Sequence, residues 1–298
     1  MNQQRKHSQV INCAEKAILF GTGDEVKMKA RVLVDNISDE NVKGEWGLCI
    51  YIEYHDKKIL LDSGGSDLFL SNAEAYGINI EDVDMAVLSH AHSDHSNGMD
   101  YFFAKNKKAS FYLQESAIEK YYLKAWIFHK YIGIARSTFD QYRDRIVFVP
   151  GDYKLCDGVY LIAHKTPGLE SIGKRERMYT RSARKWVPDN FSHEQSLVFD
   201  TDKGLVIFNS CCHGGVEKII EEVRAAYGGR KIIGIVGGFH LYKTSADDVR
   251  KLAGRLQASG VEFIVTGHCT GDEAFGILHE VLGEKVRQMY AGINFSLS

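Results

Sequence analysis

Short apolar runs, most of them closed by glycine, asparagine or aspartate, recur along this chain. Residues 30–34, with β-branched Val32 and Val34, predict a strand; residues 48–54 and 59–61 flank the turn His55-Asp56-Lys57-Lys58 and predict a hairpin. Residues 68–76 follow as a helix, and the apolar run 83–88 reads as a short buried strand. A strand is expected at 110–113. A helix rich in aromatics (Tyr121, Tyr122, Trp126, Phe128) is expected over 115–131, its rings serving a core or a subunit contact. Further strands fall at 145–150 and 158–163, and a hairpin at 196–200 and 205–208 around Thr201-Asp202-Lys203-Gly204. The last third alternates: a strand at 232–236, a helix near 246–256, a strand at 263–265 and a helix near 273–281. Antiparallel hairpins and βαβ-like units in one chain predict a mixed α/β sandwich.

Two stretches interrupt this order. Residues 1–29 show no periodicity and read as an N-terminal extension to a single domain over 30–298, with loop or helix insertions near 115–145 and 165–194. The second insertion crowds Lys174, Arg175, Arg177, Arg181, Arg184 and Lys185 into a segment of little apolar periodicity. It is either a solvated loop or a substrate-covering one, in which Arg175, Arg177 and Arg181 would meet phosphate or carboxylate.

Composition narrows the class. The chain of 298 residues is 44% hydrophobic and 26% charged, as in ordinary soluble proteins. Its net charge of -2 gives no electrostatic case for nucleic acid or an anionic membrane surface. No apolar run approaches a membrane span, and Glu15 and Lys16 break up a poor signal peptide. Six cysteines without disulfide-like spacing predict reduced thiols and a cytoplasmic protein.

The candidate chemistry centres on Ser89-His90-Ala91-His92-Ser93-Asp94-His95-Ser96-Asn97-Gly98, directly after the strand at 83–88. Three of the twelve histidines and an aspartate fall within six residues, and imidazole and carboxylate are ligands for zinc, iron and manganese. In an extended segment His90 and His92 point to one side; the chain must turn for Asp94 and His95 to approach from another. One loop can therefore serve two ions a few ångströms apart. Three more histidines stand just beyond apolar strands, in Cys211-Cys212-His213-Gly214-Gly215, Gly237-Gly238-Phe239-His240 and Gly267-His268-Cys269-Thr270-Gly271. Strand ends are where α/β sheets build their sites. His213 and His268 read as ligands, and His240 as either a substrate contact or a support. Cys211, Cys212 and Cys269 could be ligands or redox-sensitive neighbours, and read first as small buried residues. Asp62, closing a strand before Ser63-Gly64-Gly65, reads by itself as a turn or cap aspartate.

These motifs resemble those of the metallo-β-lactamase superfamily from about Ala30 to the end. The strand ending at Asp62 resembles its first motif, and His90, His92, Asp94 and His95 match its second. In two places the chain departs. The third motif usually offers a histidine after Pro-Gly, where this chain has Leu169 after Pro167-Gly168. The fourth usually offers an aspartate bridging the metals, and Cys211 stands near that place. With Cys-His-Gly, Gly-Gly-Phe-His-Leu and Gly-His-Cys-Thr-Gly, both departures resemble one branch, of metal-dependent hydrolases and dihydropterin–ribofuranosylaminobenzene phosphate synthases. The resemblance implies an αββα sandwich of two mixed sheets, a metal centre at one sheet edge, Asp62 and Cys211 supporting the ligands, and His213 filling a missing ligand role.

The leading expectation is a hydrolase with two divalent ions, zinc first and manganese or iron as alternatives. His90, His92 and His213 would hold one ion; Asp94, His95 and His268 would hold the other. Asp94 would also orient the attacking water, against a phosphoester or related bond of a small anionic substrate. The alternatives are a transferase like the synthases, displacing diphosphate, and a non-catalytic metal-binding sensor. Association into a homo-oligomer is left open.

Overall fold

The computed structural model describes residues 9–11, 18–20, 28–182 and 184–297. Two large sheets face each other. The first runs in the order Ile146–Val149, Phe111–Gln114, Met85–Val87, Lys57–Leu61, Cys49–Tyr54, Met28–Val34, Asn294–Leu297 and Ile18–Phe20. The second runs Tyr153–Cys156, Val159–Ala163, Gln195–Thr201, Gly204–Phe208, Ile232–Val236, Phe263–Thr266 and Val286–Gln288. Both mix parallel and antiparallel pairs.

The two-residue period of the strands explains the layers. Ile50, Ile52, Ile59 and Leu61 from the first sheet meet Leu161, Leu197, Phe199, Val206 and Phe208 from the second in the central core. The intervening residues point outward under helices. Cys49, Tyr51 and Leu60 pack with Phe69 of the helix Leu68–Ala75 and Phe102 of the helix Met99–Lys105. On the other face Ile162, Val198, Leu205 and Ile207 pack with residues of the helices Val216–Ala226, Ala246–Ala258 and Asp272–Leu282. The fold is thus the αββα sandwich that the resemblance implied.

Two expectations change. Over 115–131 the chain forms not a helix but a short 3-10 turn, Glu115–Ile118, and a hairpin, Tyr121–Ala125 with Phe128–Tyr131. Aromatic residues suit a pleated, half-exposed surface, and Trp126 turns the chain with a left-handed φ of 58°. The stretch 165–194 is not an open loop either. It supplies the helix Glu170–Glu176 and the strands Met178–Ser182 and Lys185–Pro188, which extend the same hairpin into a separate four-stranded sheet. Within the stretch read as an extension, Ile18–Phe20 pairs with Asn294–Leu297 at the edge of the first sheet.

Candidate metal centre

The chain leaves the strand Met85–Val87 and turns through His90 and His92 into the short helix Ser93–Ser96. Gly98 lets this turn press onto its neighbour: a Cβ there would lie 2.0 Å from the Ser63 carbonyl oxygen. His213, His240 and His268 come from the loops after Gly204–Phe208, Ile232–Val236 and Phe263–Thr266, all adjacent in the second sheet. Sequence positions 123 residues apart at His90 and His213 thereby meet, with rings 5.0 Å apart.

His90, His95 and His268 are each held by one ring nitrogen. Fully buried Asp62 accepts hydrogen bonds from the Ser89 backbone N–H, from Ser89 Oγ and from His95 Nδ1, each at 2.7 Å. Ser89 Oγ has given its one proton to Asp62, so it accepts from His90 Nδ1 at 2.8 Å. His268 Nδ1 donates to Asn36 Oδ1 at 3.1 Å, while Asn36 Nδ2 returns a bond to the His268 carbonyl. This fixes the tautomers and turns Nε2 of His90, His95 and His268 inward. The His213 backbone N–H is held by Glu194 Oε1 at 3.0 Å, and its ring stacks on Phe191 at 4.6 Å.

Nε2 of His90, His92 and His268 and both ring nitrogens of His213 are buried without a hydrogen-bond partner among the described residues. Such an arrangement is costly unless something fills it. Burial, reinforced by neighbouring imidazoles, holds His90 and His213 well below the usual histidine range and takes His92 to about 3. Burial also lowers His268, against the pull of Cys269. Against burial, Asp94 and Asp62 raise His95 to about 9; against burial, His95 and His268 lower Asp94. The neutral imidazoles of His90, His92, His213 and His268, with open lone pairs beside an ionised carboxylate, are a donor set that fits divalent cations.

The donors gather in two neighbouring groups. His90, His92 and His213 bring their donor atoms within 4.8 Å of one another. Asp94 Oδ2 lies 3.7 Å from His95 Nε2 and 3.8 Å from His268 Nε2, and accepts a 2.9 Å hydrogen bond from Trp46 Nε1. Cys211 lies between them, its Sγ 3.3 Å from His95 Nε2. Leu169, at the place of the usual third-motif histidine, is buried with Met178 and Phe191.

His240 stands beside the cluster, its ring 4.4 Å from His213 and its Nε2 3.8 Å from Glu176 Oε2. Against burial, Cys269 and Glu176 raise it to about 9. Of the three arginines predicted to bind substrate, Arg175 bonds Glu176 at 3.0 Å and so reaches this rim. Arg177 and Arg181 are exposed, and Arg181 lies over the Trp186 ring. Neither makes a hydrogen bond or ion pair with the histidine cluster among the described residues.

Several residues of the site carry no motif: Asn36, Trp46, Ser89, Glu176, Asp189, His193 and Glu194. His193 is the most informative. Its Nδ1 accepts from the Ala91 backbone N–H at 3.0 Å, and its Nε2 donates to Asp189 Oδ2 at 3.1 Å. With both nitrogens engaged it braces the ligand loop rather than offering a lone pair. Its place next to Glu194, just before the strand Gln195–Thr201, was the signal available in the sequence.

Residues 46–172 match the model of the metallo-β-lactamase superfamily. The chain is 25% identical over 293 residues to a 7,8-dihydropterin-6-methyl-4-(β-D-ribofuranosyl)-aminobenzene-5'-phosphate synthase of Methanocaldococcus jannaschii, covering 92% of this chain and 98% of that one. A solved metal-dependent hydrolase of the β-lactamase superfamily superposes with a TM-score of 0.76 at 28% identity, over 90% of this chain and 98% of its own. A metallo-β-lactamase fold protein from Bacillus subtilis shares the fold at 11% identity, with a TM-score of 0.55 over 91% of this chain and all (100%) of its own. With the motif residues gathered at one edge of an αββα sandwich, this chain has the metallo-β-lactamase fold, and its residues 46–172 are similar to that superfamily.

Proposed function

We propose that the protein is a metal-dependent hydrolase that uses a dinuclear centre to activate water against a phosphoester or related bond of a small anionic molecule. The observation that carries this reading is the convergence of unpartnered, buried ring nitrogens from His90, His92 and His213, with that of His268 3.8 Å from Asp94 Oδ2 beside them. His90, His92 and His213 would hold one ion, and Asp94, His95 and His268 the other. Divalent ions held there supply Lewis acidity and make a nucleophile from water near neutral pH. Asp62, Ser89 and Asn36 keep the imidazoles in the tautomer that presents Nε2. Trp46 fixes the Asp94 carboxylate, which orients the attacking water. The rings of Trp46 and Tyr242, 6.2 Å apart and both partly exposed, wall the mouth and suit an organic group on the substrate. Lys243, 3.4 Å from Glu176, and Arg175 bring positive charge to the same rim, beside His240. These cations suit an anionic leaving group or product.

A second reading is a transferase that displaces diphosphate from a pterin carrier, favoured by the similarity to the M. jannaschii synthase along most of both chains. The deciding experiment pairs metal analysis of protein purified without chelator with assays of both reactions. Two ions per chain and phosphodiester turnover lost on chelation are expected. Two ions with condensation of a pterin diphosphate and no hydrolysis would replace the hydrolase with the transferase. A single ion, inert in both assays, would leave a metal-binding sensor.

A further inference from the structure

We propose that sulfur belongs to the centre: Cys211 Sγ is shared between the two ion positions, and Cys269 Sγ joins His268 at the second. The inference rests on reading the histidine cluster as a metal centre, and it changes the donor set from nitrogen and oxygen alone to one that includes thiolate.

Cys211 is the place where the candidate groups overlap. Its Sγ lies within 4.8 Å of the donor atoms of His90 and His95, of His213 and His240, and of His268 and Cys269. It thereby links the triad His90, His92 and His213 to the side of His95 and His268. A tetrahedral zinc ion with nitrogen at 2.0–2.1 Å and sulfur at 2.3 Å holds those two donors about 3.5 Å apart. The 3.3 Å between Cys211 Sγ and His95 Nε2 is close to that edge. An ordinary buried thiol would instead find a carbonyl. Cys49 Sγ does so with the Asp62 carbonyl at 3.3 Å, and Cys212 Sγ with the Asn209 carbonyl at 3.7 Å. Cys211 Sγ faces an imidazole nitrogen.

Cys269 is placed by glycine. A Cβ on Gly238 would come within 2.6 Å of its sulfur, so only a bare backbone leaves room for it. Its Sγ accepts the His240 backbone N–H at 3.3 Å and donates to the Cys211 carbonyl at 3.8 Å, a contact that binding an ion would replace, so its place beside His268 and Cys211 is what assigns it to the cluster. Each thiol releases its proton to solvent as the sulfur binds, which balances the charge of the incoming ion. Two thiolates make the centre soft, and soft donors select zinc over manganese and magnesium.

The test loads the full chain with cobalt(II) and reads near-ultraviolet sulfur-to-metal charge-transfer absorption. We expect the band in the wild-type protein, its loss in Cys211→Ser, its weakening in Cys269→Ser and no change in Cys212→Ser. A band that persists unchanged in Cys211→Ser and Cys269→Ser overturns the proposal. So does a wild-type chain holding two cobalt ions without the band, although the histidine centre would then stand. A chain that binds no cobalt overturns both. Should the variants fail to fold, X-ray absorption at the zinc edge of the wild-type protein decides. Sulfur at about 2.3 Å is expected, and a shell of nitrogen and oxygen alone overturns the assignment.

Discussion

Histidines stand in both the loop 89–98 and the added four-stranded sheet, and they are treated in opposite ways. His129, on the sheet, stacks flat on Trp186 at 3.6 Å near the surface. His90, His92 and His95 are buried, and His90 and His95 each have one nitrogen held by a neighbour while the other is turned inward. The added sheet also leaves Trp126, Ile127 and Phe128 exposed by 84%, 82% and 72%. An imidazole becomes a ligand candidate through burial with at least one ring nitrogen left open towards other donors. Residue type and local density alone do not make it one.

Substitutions on the two sides should separate sharply. The largest effect is expected from His92→Ala, which removes a donor without breaking a hydrogen bond of its ring. Turnover should vanish and bound metal should fall while the circular dichroism spectrum is retained, and an active, metal-free variant would end the hydrolase reading. Asp62→Ala strips partners from His95 and Ser89 together. A loss of about 3–5 kcal/mol in denaturant unfolding is expected, as for breaking a buried charged pair, along with loss of metal. Asn36→Ala releases only the His268 ring. Metal affinity should drop roughly 10–100-fold, measured by chelator competition, with the fold intact. At the other end, Trp126→Ala should change stability by no more than about 0.5 kcal/mol and leave turnover unchanged. If Trp126→Ala were as damaging as Asn36→Ala, the added sheet would have a part in the site that its exposure does not suggest.

Strand positions were readable where a two-residue period met a turn signal, as in Cys49–Tyr54 and Lys57–Leu61. The helix expected over 115–131 failed because rows of aromatics fit a helix face and a pleat equally well. The pairing of Tyr121–Ala125 with Met178–Ser182, far along the chain, favoured the pleat. The loop 89–98 was readable as a candidate site because its histidines and aspartate are contiguous. Asn36 and Trp46 were not, since one asparagine or tryptophan gives no pattern and each meets its partner only after the sheets close.

The sequence by itself determined the alternation that builds two sheets, the contiguous donors from His90 to His95, and the histidines and cysteines just beyond later strands. Those are properties of neighbouring residues, and a period or a cluster records them. Tertiary structure decided which donors share a position, which nitrogen of each ring stays open, that Leu169 is buried beside Phe191 while His213 joins His90 and His92, and that Cys211 lies among all of them. Such choices depend on which strand ends lie side by side once the two sheets close, which is how His90 meets His213 from 123 residues away.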